Sequence, residues 1–178
     1  MEILIVGVII VALMAYASTK IKKSAAQAFE REEIETENFT ITKPAGFINP
    51  LNDENSAFAF EAYTKDLGTN EARNLRRARA TLRVVSGVDF QTVCRDTRNS
   101  AGRIVSKEFV EDAPDGRKIF LLESEKIEPE DVKIFSSWKI VESRERRKIY
   151  ELQIAVLEDY MEEFAGKASE MIDSFQVK

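Results

Sequence analysis

The sequence contains no histidine among its 178 residues. That absence removes histidine triads, histidine general bases and most zinc and iron sites. Cysteine is almost as scarce. Cys94 stands alone, so no internal disulfide framework exists and the chain does not look built for an oxidising compartment. A thiolate nucleophile wants a base beside it, and no imidazole is available. The glycines are few and dispersed: Gly68, Gly87, Gly102 and Gly116 mark turns and lack the spacing of a phosphate-binding loop. Internal repeats and low-complexity tracts are absent. An all-carboxylate metal site is compatible with this composition, but nothing points to a metal or cofactor.

Charge narrows the partners. The formal net charge is −5, and the 155 residues after Lys23 hold 23 basic and 30 acidic side chains. Phosphate binding runs on neutralising charge, so an acidic domain is not expected to bind nucleic acid. That length suits one domain with its own core.

The chain opens MEILIVGVIIVALMAYASTKIKK. Residues 3–19 carry no charge, which is the short end of a membrane span at about 1.5 Å per residue against roughly 30 Å of hydrocarbon. Lys20, Lys22 and Lys23 lengthen it by snorkelling to the interface. Ala15-Tyr16-Ala17 fits the small-x-small pattern of a signal cleavage site. Against cleavage, the segment before the apolar run is Met1-Glu2, with no lysine or arginine. The charge order therefore reads as a retained anchor in the bilayer, with the lysine side and the following domain in the cytoplasm. The expected layout is an anchor at 1–19, a helical stalk or linker at 20–36 and one domain at 37–178.

Residues 38–42, Asn-Phe-Thr-Ile-Thr, alternate and read as a strand with Phe39 and Ile41 on one face. Pro44-Ala-Gly46 turns the chain. Ser56–Tyr63 reads as a second strand. Thr69 or Asn70 caps an expected helix through Glu71–Leu82, before a β-branched stretch ending at Ser86-Gly87. Phe90–Val93 reads as a short strand, as do Ile104–Val110 and Lys118–Glu123. Ala113–Gly116 is a turn. Val132–Val141 and Arg147–Val156 form a long pair joined by the polar residues 142–146. The clearest helix closes the chain: Leu157, Tyr160, Met161, Phe164, Ala168, Met171, Ile172 and Phe175 share one face. Such a helix covers a sheet, so the fold class is α+β: a membrane helix, then a largely antiparallel sheet covered by helices.

The opening strand runs Phe39-Thr-Ile-Thr-Lys-Pro-Ala-Gly-Phe47, the last strand contains Ile149-Tyr-Glu-Leu-Gln-Ile, and the last helix ends Met171-Ile-Asp-Ser-Phe175. Over about residues 37–177 this resembles the superfamily of the photosystem II oxygen-evolving extrinsic protein P. That group also includes a nuclear-transport accessory protein and bacterial envelope proteins. Pro44, Gly46 and Phe47 match its Pro-x-Gly-aromatic turn, with Phe47 where tryptophan is frequent, and Ser174 and Phe175 match its close. The resemblance implies a sheet packed between helices. It implies a binding or assembly scaffold rather than an enzyme, with no catalytic set to carry over.

One segment stands out for function. Glu71–Arg83 holds Arg73, Arg76, Arg77, Arg79 and Arg83. In a helix, Arg73, Arg76, Arg77 and Arg83 contribute to one broad face, and guanidinium forks grip carboxylates and phosphates. This face reads as a docking surface for an acidic protein or anionic lipid heads, or else as a solvated helix offsetting the acidic excess. No aromatic side chain lies between the arginines to stack a base. A second basic cluster, Arg144, Arg146, Arg147 and Lys148, alternates with acids and reads as a polar turn. Glu123–Asp131 is a run of solvated acids rather than a catalytic pair. The expected function is a noncatalytic accessory or assembly subunit that binds another membrane-associated protein. The alternatives are an outward-facing envelope domain that binds lipid or a small ligand, and a hydrolase.

Overall fold

The computed structural model describes residues 27–50, 56–110, 117–143 and 147–178, together with Met14. Seven strands form an antiparallel sheet in the order β3-β4-β5-β9-β8-β7-β6. They are β3 (Phe47–Ile48), β4 (Phe60–Thr64), β5 (Ala78–Ser86), β6 (Arg103–Val110), β7 (Ile119–Glu128), β8 (Val132–Ser143) and β9 (Lys148–Leu157). A smaller sheet, in the order β1-β2-β10, joins β1 (Glu32–Glu35), β2 (Phe39–Lys43) and β10 (Gln176–Val177). Helix α1 (Phe90–Ser100) lies on one face of the large sheet, and α2 (Met161–Ser174) lies on the other with the small sheet.

Alternation along the strands decides which side chains go where. In β5, Ala78, Ala80 and Leu82 are buried on the α2 side, while Arg79, Thr81 and Arg83 point the opposite way. The same rule places Leu152 and Ile154 of β9 in the α2 core and Glu151 and Gln153 on the far face. That core is locked by aromatic pairs. Phe47 meets Phe164 edge-on at 5.8 Å, and Phe39 lies 6.2 Å from Phe175. Burial of each such ring stabilises the fold by roughly 1.5–3 kcal/mol.

A second, smaller core sits under α1. Phe90, Val93 and Cys94 of the helix pack with Phe120, Leu122, Trp138, Ile140 and Ile149 of the sheet. The helix ends at Ser100, and Gly102 (φ +80°) turns the chain into β6. α1 therefore covers only part of its face.

The α+β class, the antiparallel pairing and the closing helix match the sequence reading. Three expectations change. Glu71–Leu82 is not a helix: a 3-10 turn at Asn70–Ala72 leads to strand β5, because Ala78, Ala80 and Leu82 are needed on one face of the sheet. Phe90–Val93 is the first turn of α1 rather than a strand. Of the helical stalk or linker expected at 20–36, residues 20–26 lie outside the described ones and Glu32–Glu35 is strand β1, which pairs with β2 from Glu32↔Lys43 to Glu35↔Thr40. Among the described residues no helix is long and apolar enough to cross a membrane. The expected anchor at 1–19 falls outside them, apart from Met14, which is helical. The turn at 113–116 and Arg144 and Arg146 also fall outside.

Candidate functional site

The arginine segment folds into a closed turn. The amide of Gly68 donates to Leu75 O (2.8 Å), Leu75 N donates to Ala72 O (2.8 Å), and Leu67 bridges to Arg76. Gly68 is required here: a Cβ would stand 2.7–2.8 Å from Leu157 and Ala72. The turn carries two exposed leucines, Leu67 (41 %) and Leu75 (38 %). Arginines surround them. Arg76 donates to Lys65 O and lies 4.5 Å above the Tyr63 ring. Arg77 donates to Leu67 O (3.1 Å) and lies 4.6 Å from the Tyr160 ring, with Asp66 at 3.7 Å. Arg73 is exposed at the tip. Cation–π stacking and the bonds to Lys65 O and Leu67 O hold Arg76 and Arg77 in place, and each guanidinium has further N–H donors beyond the one used.

Arg79 and Arg83 lie elsewhere. They alternate along β5 on the sheet face opposite α2. Arg79 pairs with Glu61 (2.8 Å) and approaches the Phe58 ring at 5.6 Å. Arg83 pairs with Glu151, which also accepts the Thr97 hydroxyl at 2.7 Å. The five arginines therefore do not share one helical face. Three cluster at the turn and two point into the open half of the sheet. Sequence reasoning missed Leu67, Leu75, Tyr63 and Tyr160 as companions of the arginines; the apolar Leu75 amid charged residues was the available signal.

Other sequence candidates resolve into structural roles. Cys94 is buried, and burial pushes its thiol up to about 12, far from a thiolate at neutral pH. Members of the acidic run form surface pairs, Arg103 with Glu125 and Lys126 with Glu128 (2.7 Å). The Arg103 hydrogen bond holds the Glu125 carboxyl below its ordinary range. Among the described residues no group of three or more acids or cysteines is arranged to hold a metal. Of the second basic cluster, Arg147 and Lys148 sit at the start of β9.

The motif residues of the two chain ends meet in space. Gly46 takes φ +95°, which lets Phe47 turn back into the core. Ser174 Oγ accepts the amide of Thr42 (3.0 Å), and Phe175 packs on Phe39. The opening strand and the closing Ser-Phe are one joint.

No protein-family model and no curated protein matches the chain. Solved structures share its fold. Cyanobacterial PsbP (CyanoP) from Synechocystis sp. PCC 6803 matches with a TM-score of 0.52 and 12 % identity, over 84 % of this chain and 92 % of that one. The Saccharomyces cerevisiae Ran-binding protein Mog1p matches with a TM-score of 0.52 and 14 % identity, over 84 % and 96 %. LpqN, involved in cell envelope biogenesis of Mycobacterium tuberculosis, matches with a TM-score of 0.54 and 8 % identity, over 84 % and 91 %. The domain thus has the PsbP-like fold that the joint of residues 39–47 and 171–175 implied. At these identities the likeness is one of fold.

Proposed function

We propose that this chain is a noncatalytic accessory subunit that docks on another membrane-associated protein through the turn at Leu67–Arg77. The observation that carries it is the pairing of two exposed leucines with arginines already stacked on tyrosines. Tyrosine and arginine are the residue types that dominate protein hot spots, and pre-ordered side chains lose less entropy on binding. One protein with this fold is itself a Ran-binding protein. In this reading residues 3–19 anchor the chain in the bilayer and the domain faces the cytoplasm. The exposed arginine edges also suit anionic lipid heads.

The test is photocrosslinking of the full chain in cells. A crosslinker at Leu75 gives one discrete protein adduct, and one at Val88, exposed at the other end of β5, does not. Arg73→Glu weakens the Leu75 adduct. Equal adducts from both positions, or none from Leu75, would refute the docking turn. Cys94 is too buried to report topology, so the orientation is read with Val88→Cys in a Cys94→Ser chain. Labelling by a membrane-impermeant maleimide only after lysis supports the cytoplasmic side. Labelling in intact cells supports the alternative, an envelope domain facing outward.

A further inference from the structure

We propose that the open half of the sheet face, beside α1, is a binding groove for a small uncharged polyhydroxylated ligand, a sugar of one or two rings. This site is separate from the docking turn and does not rest on it. The groove has a volume of about 360 Å³, and Arg83, Glu151, Gln153, Ser136, Trp138 and Phe58 are the lining residues that matter most. That volume lies at the small end of ligand sites and suits roughly one or two pyranose rings.

The chemistry of the face argues for a ligand. Where α1 covers the sheet, the strands present Phe120, Leu122, Ile140 and Ile149. Beyond the end of α1 the same face presents Thr81, Arg83, Gln153 and Ser136, with Ile134 and Ala155 among them. Packing another helix here would strip water from Arg83 and Gln153. Glu151 is only 8 % exposed, and a carboxylate drawn so far from water is costly unless its oxygens are satisfied. Arg83 and Thr97 satisfy them, which also fixes the guanidinium at the edge of the groove.

Charge balance selects the ligand class. Arg83 is matched by Glu151, and Lys126 on the rim is matched by Glu128 at 2.7 Å. The lining is therefore neutral overall. An anion held by Arg83 would lie against the Glu151 carboxylate, and a cation held by Glu151 would lie against the Arg83 guanidinium. An uncharged ligand carrying both donors and acceptors loses neither pair. Planar guanidinium, carboxylate and amide groups present adjacent hydrogen-bonding atoms that match neighbouring hydroxyls. The half-buried Phe58 ring supplies apolar surface for the C–H face of a sugar, and Trp138, packed in the core under α1, borders the groove. Glu151 is buried and already accepts from Thr97 and Arg83, and Glu128 pairs with Lys126, so the site is suited to binding rather than to the two-carboxylate chemistry of glycoside cleavage.

Trp138 is the chain's single tryptophan, so its fluorescence reports on this groove directly. The full chain is held in a detergent without a sugar headgroup and titrated with glucose, galactose, mannose, N-acetylglucosamine, maltose and cellobiose. Inorganic phosphate, citrate and a polyglutamate peptide serve as charged probes. At least one sugar gives a saturable change, confirmed by saturation transfer from protein to sugar protons. Gln153→Leu and Phe58→Ala each weaken it about tenfold, the loss expected of one good contact. Phe58 lies outside the strands, so that variant keeps the fold if Gln153→Leu does not. Two results overturn the proposal. One is no response to any sugar up to about 50 mM, well past millimolar affinity. The other is a response to phosphate, citrate or the acidic peptide in place of the sugars.

Discussion

The contact around Glu151 makes a quantitative prediction that runs against intuition: its neutral partner matters more than its charged one. One carboxylate oxygen accepts the Thr97 hydroxyl at 2.7 Å, and both groups are buried. The other accepts from Arg83 Nε at 3.0 Å, but the Arg83 side chain is 58 % exposed. A buried hydrogen bond to a charged group contributes about 1.5–3 kcal/mol. An ion pair with a solvated arm contributes about 0.2–1 kcal/mol, because water and salt compete for it. Two double-mutant cycles separate the terms, one with Thr97→Val and one with Arg83→Gln, each combined with Glu151→Leu. Urea unfolding of the full chain in detergent, followed by circular dichroism, gives the coupling energies. The Thr97–Glu151 coupling is expected near 2 kcal/mol and unchanged in high salt. The Arg83–Glu151 coupling is expected below about 1 kcal/mol and smaller still in 1 M salt. An arginine coupling equal to or larger than the threonine one would show that the reasoning from burial is wrong.

Three further predictions follow from single contacts. Lys139 donates to the carbonyls of Ile172 (2.9 Å) and Phe175 (2.8 Å) at the end of α2, so Lys139→Met costs about 1–2 kcal/mol in urea melts. Burial lowers the Lys139 amine below its ordinary 10.5, so the unfolded chain binds more protons as pH climbs toward that value. This lysine's contribution to stability therefore rises with pH in that window, and the rise is absent from the methionine variant. Gly102 and Gly87 both have positive φ, but a Cβ on Gly102 would sit 2.8 Å from Glu125 O while Gly87 faces open space. Gly102→Ala should lower the melting temperature more than Gly87→Ala, for which only the backbone penalty of about 1 kcal/mol applies. Asp89 caps α1 by accepting from Gln91 N (2.9 Å) and the Thr92 hydroxyl, and the Thr92 bond holds its carboxyl below 3.8. Its stabilising effect is present above pH 3.8 and is lost as pH falls through the lowered value. An acid titration of Asp89→Asn should lack that component.

The parts of the fold that were legible are those where period and propensity agree. β2, β7, β8 and β9 carry apolar, β-branched or aromatic side chains in runs long enough to read, and α2 keeps a full apolar stripe. α1 was not legible because its buried stripe is Phe90, Val93, Cys94 and Thr97. The helical spacing is there, but a threonine fills the fourth position, and Phe-Gln-Thr-Val alone looks like a strand. Thr97 is buried because Glu151 needs a donor at that point, a requirement visible only once β9 lies beneath the helix. The carboxylate likewise reads as a solvent-facing residue until α1 shields it.

The arginine segment failed for the opposite reason: local propensity there is strong and misleading. Ala, Arg and Leu all favour helices, yet Ala78, Ala80 and Leu82 also alternate, and the sheet uses that alternation. The change from helix to turn and strand alters the functional argument as well as the fold. On a helix, Arg73, Arg76, Arg77 and Arg83 would present a field of uncompensated charge. In the fold, Arg77, Arg79 and Arg83 have carboxylate partners and Arg76 is stacked on Tyr63. Internally matched cations contribute less long-range attraction than unmatched ones, so the turn is better suited to short-range contact. Its two leucines and two tyrosines supply apolar and aromatic surface, and the arginines supply directed hydrogen bonds. A surface of this kind selects a partner by shape and stacking rather than by net charge, which is why the docking reading now rests on Leu67 and Leu75 as much as on the arginines.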